Sequence, residues 1–204
     1  MPTSPSHPTI GLLLLTGGKG ARMGEPKHAI AFPGGGSWSG HLVAIFEEAF
    51  PGAAVRVLGN PVPERLELHV VEDPRQGPAV ALRAWALAEE AEIDWWWIAA
   101  CDQMHWSPET LQAWFRRATG ERIWTMGRHM DHVQSMGSWM PNELLPALRE
   151  QQAHSLRALM GQLPHRILDV DGPEWLDLDT PEERKAWEGT GKPKVPGNGK
   201  AMQG

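Results

Sequence analysis

The chain has 204 residues, a formal net charge of −6 and one cysteine. That length suits one α/β domain with a well-buried core, and no shift of composition divides it. The negative balance argues against a nucleic-acid or anionic-membrane surface, no apolar run reaches the length of a bilayer span, and the single Cys101 makes no internal disulfide and suits a reducing cytoplasm.

Residues 1–8 carry three prolines and are expected to form a flexible tail; the opening MPTSPSHPT has neither the charged nor the apolar region of a secretory signal. Residues 9–15 predict the first strand, because Leu12, Leu13, Leu14 and Leu15 form a continuous apolar run of the kind buried on both faces in parallel sheets. The run passes directly into Thr16, Gly17 and Gly18, then into a loop bearing Lys19, Gly20, Arg22, Gly24 and Lys27. Glycines at a strand end let backbone N–H groups approach anionic oxygens, and clustered cations favour the same ligands. Spacing excludes the two common phosphate loops. A Walker A loop needs Lys directly after its last glycine, where Glu25 stands, and a GxGxxG fingerprint needs glycine where Met23 stands. An ordinary glycine-rich turn is the plainer alternative.

Residues 32–40 (FPGGGSWSG) predict a turn, and 40–50 a helix with Leu42, Ile45, Phe46 and Ala49 on one face. Residues 55–58 and 66–71 predict strands ending at Gly59-Asn60 and Glu72-Asp73. Gly77-Pro78 opens a helix to about residue 90. Residues 94–100 (DWWWIAA) predict the central strand, ending at Cys101-Asp102-Gln103, and Ser107-Pro108-Glu109 begins the next helix. Strands are expected at 122–126, 132–139 and 165–170, helices at 142–149 and 154–161, and a short last helix opened by Pro181 behind a cap at Asp179 or Thr180. Residues 189–204 have no apolar pattern and are expected to be disordered, leaving 9–188 as the folded domain.

Strands alternating with helices predict a single doubly wound, mostly parallel α/β sheet flanked by helices. Ligands in such sheets bind beyond the carboxyl ends of the strands, where Gly17, Gly18, Asn60, Asp73 and Asp102 emerge. Asp102, ending the central strand near a basic loop, suits a Mg2+ ligand that bridges to phosphates; capping of the next helix is the alternative, although Ser107 already fills that place. Asp177 and Asp179, two apart in an extended segment, face one way and could join it, or could be a helix cap and a surface acid. Lys27 and Arg22 read as clamps on a polyphosphate, or as solvated loop cations. His129, His132, His154 and His165 show no zinc-binding spacing, no serine lies in GxSxG, and Trp95, Trp96 and Trp97 read as sheet core.

The loop LTGGKGARMGEPK resembles the LAGGxSxRMGxxK loop of the molybdenum cofactor guanylyltransferases, within the nucleotidyltransferase superfamily; Thr16 stands for Ala and Gly20 for Ser. Further likenesses run from about residue 10 to 188. The stretch at Cys101-Asp102 is similar to the family's CDMP segment, whose aspartate holds the metal, and departs from it at Gln103-Met104-His105. LDLDTPEE is similar to NxNTPED, and Gly77-Pro78 resembles the start of GGPLAG.

The resemblance implies a Rossmann-like nucleotidyltransferase fold and a Mg2+- or Mn2+-dependent guanylyltransferase. It would move GMP from GTP to the phosphate of molybdopterin, release pyrophosphate, and work beside molybdoenzyme maturation proteins. It implies nucleotide contacts at Leu15, Thr16, Gly17, Gly18, Lys27, Asn60, Asp73, Gly77 and Asp102, catalytic roles for Arg22, Lys27 and Asp102, and metal binding by Asp102 with Asp177 or Asp179. Read alone, Asn60 and Asp73 are turn residues. Open alternatives are cytidylyl transfer, suggested by the aspartates of DLDTPE, transfer to a sugar phosphate, and a non-catalytic nucleotide-binding partner.

Overall fold

In the computed structural model, which describes residues 8–18 and 22–189, the leucine run forms β1 (Ile10–Leu15) at the centre of the sheet, with Leu12, Leu13 and Leu14 fully buried. The strands that follow are β2 (Ala54–Leu58), β3 (His69–Val71), β4 (Trp95–Ala100), β5 (Trp124–His129), β6 (His132–Pro141) and β7 (His165–Asp169). Among the described residues they make one seven-stranded sheet in the order β3-β2-β1-β4-β6-β5-β7. Pairing is parallel except where β6 runs antiparallel between β4 and β5. The sheet is therefore α/β and mostly parallel, as expected. β1 and β4 lie side by side with the chain winding outward from each, so the gap between their carboxyl ends is the switch point of the fold.

The helices are α1 (Trp38–Ala49), α2 (Pro78–Ala88), α3 (Pro108–Ala118), α4 (Leu145–Glu150), α5 (Leu156–Met160) and α6 (Pro181–Gly189). α1 and α3 cover one face of the sheet, and α2, α4 and α5 the other. The tryptophan triplet explains itself through strand alternation. Trp95 and Trp97 enter the first core layer, while Trp96 enters the second and meets Trp85 edge-on at 5.0 Å between ring centroids. A third cluster, Met23, Ile30, Phe32, Trp38, Met104, Leu178 and Trp187, joins the basic loop, the end of β4 and α6.

Three expectations change. The chain over 66–68 forms turns, with Leu66 72 % exposed, so β3 is a three-residue edge strand rather than six. α1 starts at Trp38, inside the expected turn, because Ser37 caps it by accepting from the Gly40 N–H and Trp38 is fully buried. β5 starts two residues later than expected and reaches His129, closing on β6 through Met130 and Asp131, both in the left-handed region. Apart from Pro8 and Gly189, which ends α6, the expected tails 1–8 and 189–204 lie outside the described residues, as do Lys19 and Gly20.

Candidate active site at the sheet mouth

Beyond Leu15 the chain is held by its neighbours on β2. The Thr16 N–H donates to the Leu58 carbonyl at 3.0 Å, and the Thr16 hydroxyl donates to the Asn60 carbonyl at 2.7 Å. The Asn60 amide returns a bond to the Thr16 carbonyl at 3.2 Å. Threonine thus uses its hydroxyl to lace the two loops together, which alanine would not do. Next to it, a Cβ on Gly17 would stand 2.2 Å from Asp73 Oδ2, and a Cβ on Gly59 would stand 2.8 Å from the Gly17 nitrogen. Two glycines at this point bring three loops into contact. Asp73 is itself fixed by the Arg75 N–H, which donates to Oδ1 at 2.7 Å.

These loops enclose a cavity of about 720 Å³. Leu15, Gly17, Gly18, Asn60, Asp73 and Gly77 all line it, and Leu58, Pro78 and Ala81 give it an apolar wall. Its size and its mixture of apolar wall and few polar groups suit a small organic ligand. Gly77 closes it as the N-cap of α2, so first-turn N–H groups of that helix border the space. Thr16 is buried behind the wall and does not line it. Two other cavities, of about 630 and 980 Å³, border Thr9 and Ile93 at the amino end of the sheet, away from the switch point.

The charged half lies where β4 ends. Leu178 N–H donates to the Asp102 carbonyl at 3.0 Å, which sets the 177–179 segment beside the strand end. Lys27, in a single 3-10 turn after the basic loop, places its Nζ 2.8 Å from Asp102 Oδ2 and 2.5 Å from Asp179 Oδ1. Arg22 reaches Asp179 Oδ2 at 2.9 Å. Burial alone would lower the Lys27 pKa, but the hydrogen bonds and charges of Asp102 and Asp179 overcome it and raise the ammonium above its ordinary value. Burial works to raise the Asp179 carboxyl, and Lys27 and Arg22 outweigh it and hold it low. Asp177 is exposed over much of its surface, and burial, then the charges of Asp102 and Asp179, push its carboxyl up to about 6.

Asp179 is held from behind. Glu183 accepts from the Asp179 and Thr180 N–H groups at 2.7 and 2.8 Å, while Thr180 Oγ1 accepts from the Glu183 N–H at 3.2 Å. Thr180, one of the two expected caps, is the residue that caps α6. Gln103 is fully buried; its Oε1 accepts from the Ala100 N–H at 3.3 Å and tightens the turn that presents Asp102.

Most of the site residues read from the sequence therefore fall into two groups, the cavity set and the ion-pair set of Arg22, Lys27, Asp102 and Asp179; Thr16 lies behind the cavity wall, and Asp177 belongs to none of these ion pairs. Sequence reasoning did not find Gly59, whose φ of +119° and contact with Gly17 no spacing rule signals, nor Glu183, although TPEE carries a capping-box pattern. No group of three or more His, Cys, Asp or Glu side chains among the described residues stands where it could hold a metal by itself. Asp102 and Asp179 instead converge on one cation, the Lys27 ammonium. Two carboxylates meeting at a point are a donor set that fits Mg2+ or Mn2+, which are commonly held by one or two carboxylates plus substrate.

The chain is similar in fold to several solved structures. Rv0371c from Mycobacterium tuberculosis H37Rv is 22% identical, with a TM-score of 0.67 over 88% of this chain and 97% of that one. A second structure of Rv0371c, described as a complex with manganese, is 20% identical with a TM-score of 0.62 over 88% and 97%. Molybdopterin-guanine dinucleotide biosynthesis protein A from Archaeoglobus fulgidus is 15% identical, with a TM-score of 0.62 over 86% and 95%. No curated protein gives a significant sequence match. The sequence pattern of the MobA-like NTP transferase domain matches residues 12–167, from β1 to within β7, and the chain belongs to that family.

Proposed function

We propose that this NTP transferase is a guanylyltransferase acting on molybdopterin. An oxygen of the acceptor phosphate attacks the α-phosphorus of GTP, a new P–O bond forms, the bond between the α-phosphorus and its bridging oxygen to the β-phosphate breaks, and pyrophosphate leaves with both electrons of that bond. The acceptor phosphate is already ionised, so no side chain needs to take a proton from it. The observation that carries this reading is that Leu15, which lines the 720 Å³ cavity, pairs with Ala100, two residues before Asp102, so the cavity and the Lys27, Asp102 and Asp179 cluster leave neighbouring strand ends at the switch point.

The cavity supplies the nucleoside site. Asp73 and Asn60 offer acceptors and donors to base and sugar, and Gly17 and Gly18 let the backbone close on phosphate oxygens. Lys27 and Arg22 grip the triphosphate and stabilise the charge that develops on pyrophosphate. Asp102, with Asp179 or Asp177, would hold Mg2+ or Mn2+, whose charge neutralises phosphate when it is bound. A buried, reduced Cys101 suits work in the cytoplasm, beside the proteins that mature molybdoenzymes.

A second reading, cytidylyl transfer, rests on Asp177 and Asp179 and on the likeness of fold to 4-diphosphocytidyl-2C-methyl-D-erythritol synthase, 13% identical with a TM-score of 0.60 over 88% of this chain and 97% of that one. Pyrophosphate release measured with each NTP in turn, with molybdopterin present, separates the two. Guanylyl transfer requires GTP to lead; equal rates with CTP and GTP would sink the guanine assignment.

A further inference from the structure

We infer that Lys27 is a built-in stand-in for the divalent cation: its ammonium occupies the seat between Asp102 and Asp179, and metal entry requires the side chain to swing away. The inference rests on the functional reading above for the metal's presence, and on three features of the chain for the exchange. First, one nitrogen meets both carboxylates, Asp102 Oδ2 at 2.8 Å and Asp179 Oδ1 at 2.5 Å, although they come from segments more than seventy residues apart in sequence. Without a cation between them, two partly enclosed carboxylates would repel each other. Second, the pairing is sheltered: the Lys27 and Asp102 side chains are 16 % and 19 % exposed, so it is unlike a solvent-screened surface bridge. Third, only the side chain needs to move. Ile30 and Phe32 bury the following segment in the cluster with Trp38 and Trp187, whereas four methylenes carry the ammonium.

An ammonium and a divalent ion cannot share the same two oxygens at contact distance, because like charges that close repel strongly in a sheltered site. The seat is therefore neutralised before the metal arrives, and displacement releases a free cation at the mouth of the nucleotide cavity. Metal binding and the freeing of a phosphate clamp become one event. Arg22 provides an internal comparison. It also pairs with Asp179, but its side chain is 69 % exposed and, among the described residues, no ion pair joins it to Asp102.

Mn2+ alone, without nucleotide or acceptor, tests the exchange by titration followed by electron paramagnetic resonance and calorimetry. Lys27→Met should bind Mn2+ roughly tenfold or more tightly than the wild type, since the competitor is gone. Arg22→Met, which removes a charge without vacating the seat, should change affinity by less than about threefold. Adding Asp102→Asn to Lys27→Met should abolish the tight site. In the wild type, saturating Mn2+ should also raise acylation of the Lys27 amine severalfold in peptide mapping. Equal or weaker binding by Lys27→Met, an equal gain in Arg22→Met, a tight site that survives Asp102→Asn, no binding by any variant, or unchanged acylation with metal bound would each overturn the inference. Thermal unfolding of each variant excludes misfolding as the cause. None of these readings uses turnover, so a failure of every NTP to release pyrophosphate would defeat the proposed reaction, while the Mn2+ titrations would still decide the exchange.

Discussion

Asp73 Oδ2 stands 2.2 Å from where a Cβ on Gly17 would lie, so a side chain at position 17 requires the Asp73 carboxylate to shift. The end of β1 and the end of β3 meet there, across the end of β2. Both residues line the cavity proposed to take the nucleoside.

Gly17→Ala should therefore force Asp73 aside, with an overpacking cost of about 1–3 kcal/mol and a loss of nucleotide affinity of roughly tenfold or more. Asp73→Ala removes the obstruction as well as a ligand group. The double variant Gly17→Ala/Asp73→Ala should then be no less stable than Asp73→Ala alone. Chemical denaturation of the three variants measures this coupling, and additive costs would show that the contact is not the source.

Thr16→Val tests the lacing of the two loops. It deletes the donor to the Asn60 carbonyl and leaves a partly buried acceptor unpaired, at a cost of about 1–3 kcal/mol. Because Asn60 lines the cavity and Thr16 does not, weaker nucleotide binding should accompany the lost stability. A variant with native affinity and native stability would contradict the role assigned to the hydroxyl.

Much of this arrangement is legible in the sequence. A leucine run, a glycine pair and an apolar DWWWIAA stretch mark β1 and β4 and the loops that follow, since parallel strands buried on both faces read as continuous apolar runs. What stays hidden is pairing. Nothing local shows that β6 runs antiparallel, because a buried strand carries the same pattern in either direction. Nor does Lys27 announce that it spans partners 75 and 152 residues further along the chain. Gly59 escapes for the same reason: its importance lies in what approaches it, which only the fold decides. Leu66 misleads in the opposite sense, being apolar yet exposed in a turn.

His41 predicts an acid limb in stability. Its ring is buried, stacks on Phe32 at 3.8 Å, and has no hydrogen-bond partner on either nitrogen among the described residues. Burial lowers its pKa from 6.5 to about 4. Unfolded His41 therefore takes up a proton that folded His41 refuses, and stability falls as pH drops from about 6.5 through about 4, by about 3 kcal/mol in full. His41→Phe keeps the stacking and should flatten this limb in melting curves taken between pH 4 and 8. An unchanged pH dependence would exclude His41 as the titrating group.

Glu183→Ala should separate positioning from stability. Losing the carboxylate that accepts from the Asp179 and Thr180 N–H groups costs about 1 kcal/mol at a helix start. The larger effect should fall on Mn2+ affinity, because Asp179 loses its fixed backbone, and Glu183→Gln should restore most of it. A melting point lowered without any change in metal affinity would make Glu183 a helix cap and nothing more.

Pyrophosphate release from GTP with molybdopterin and Mg2+, compared between wild type and Asp102→Asn, tests the central claim most directly. The account predicts release by the wild type and a loss of about a hundredfold or more in the variant with thermal unfolding nearly unchanged. Turnover by Asp102→Asn at the wild-type rate would contradict it.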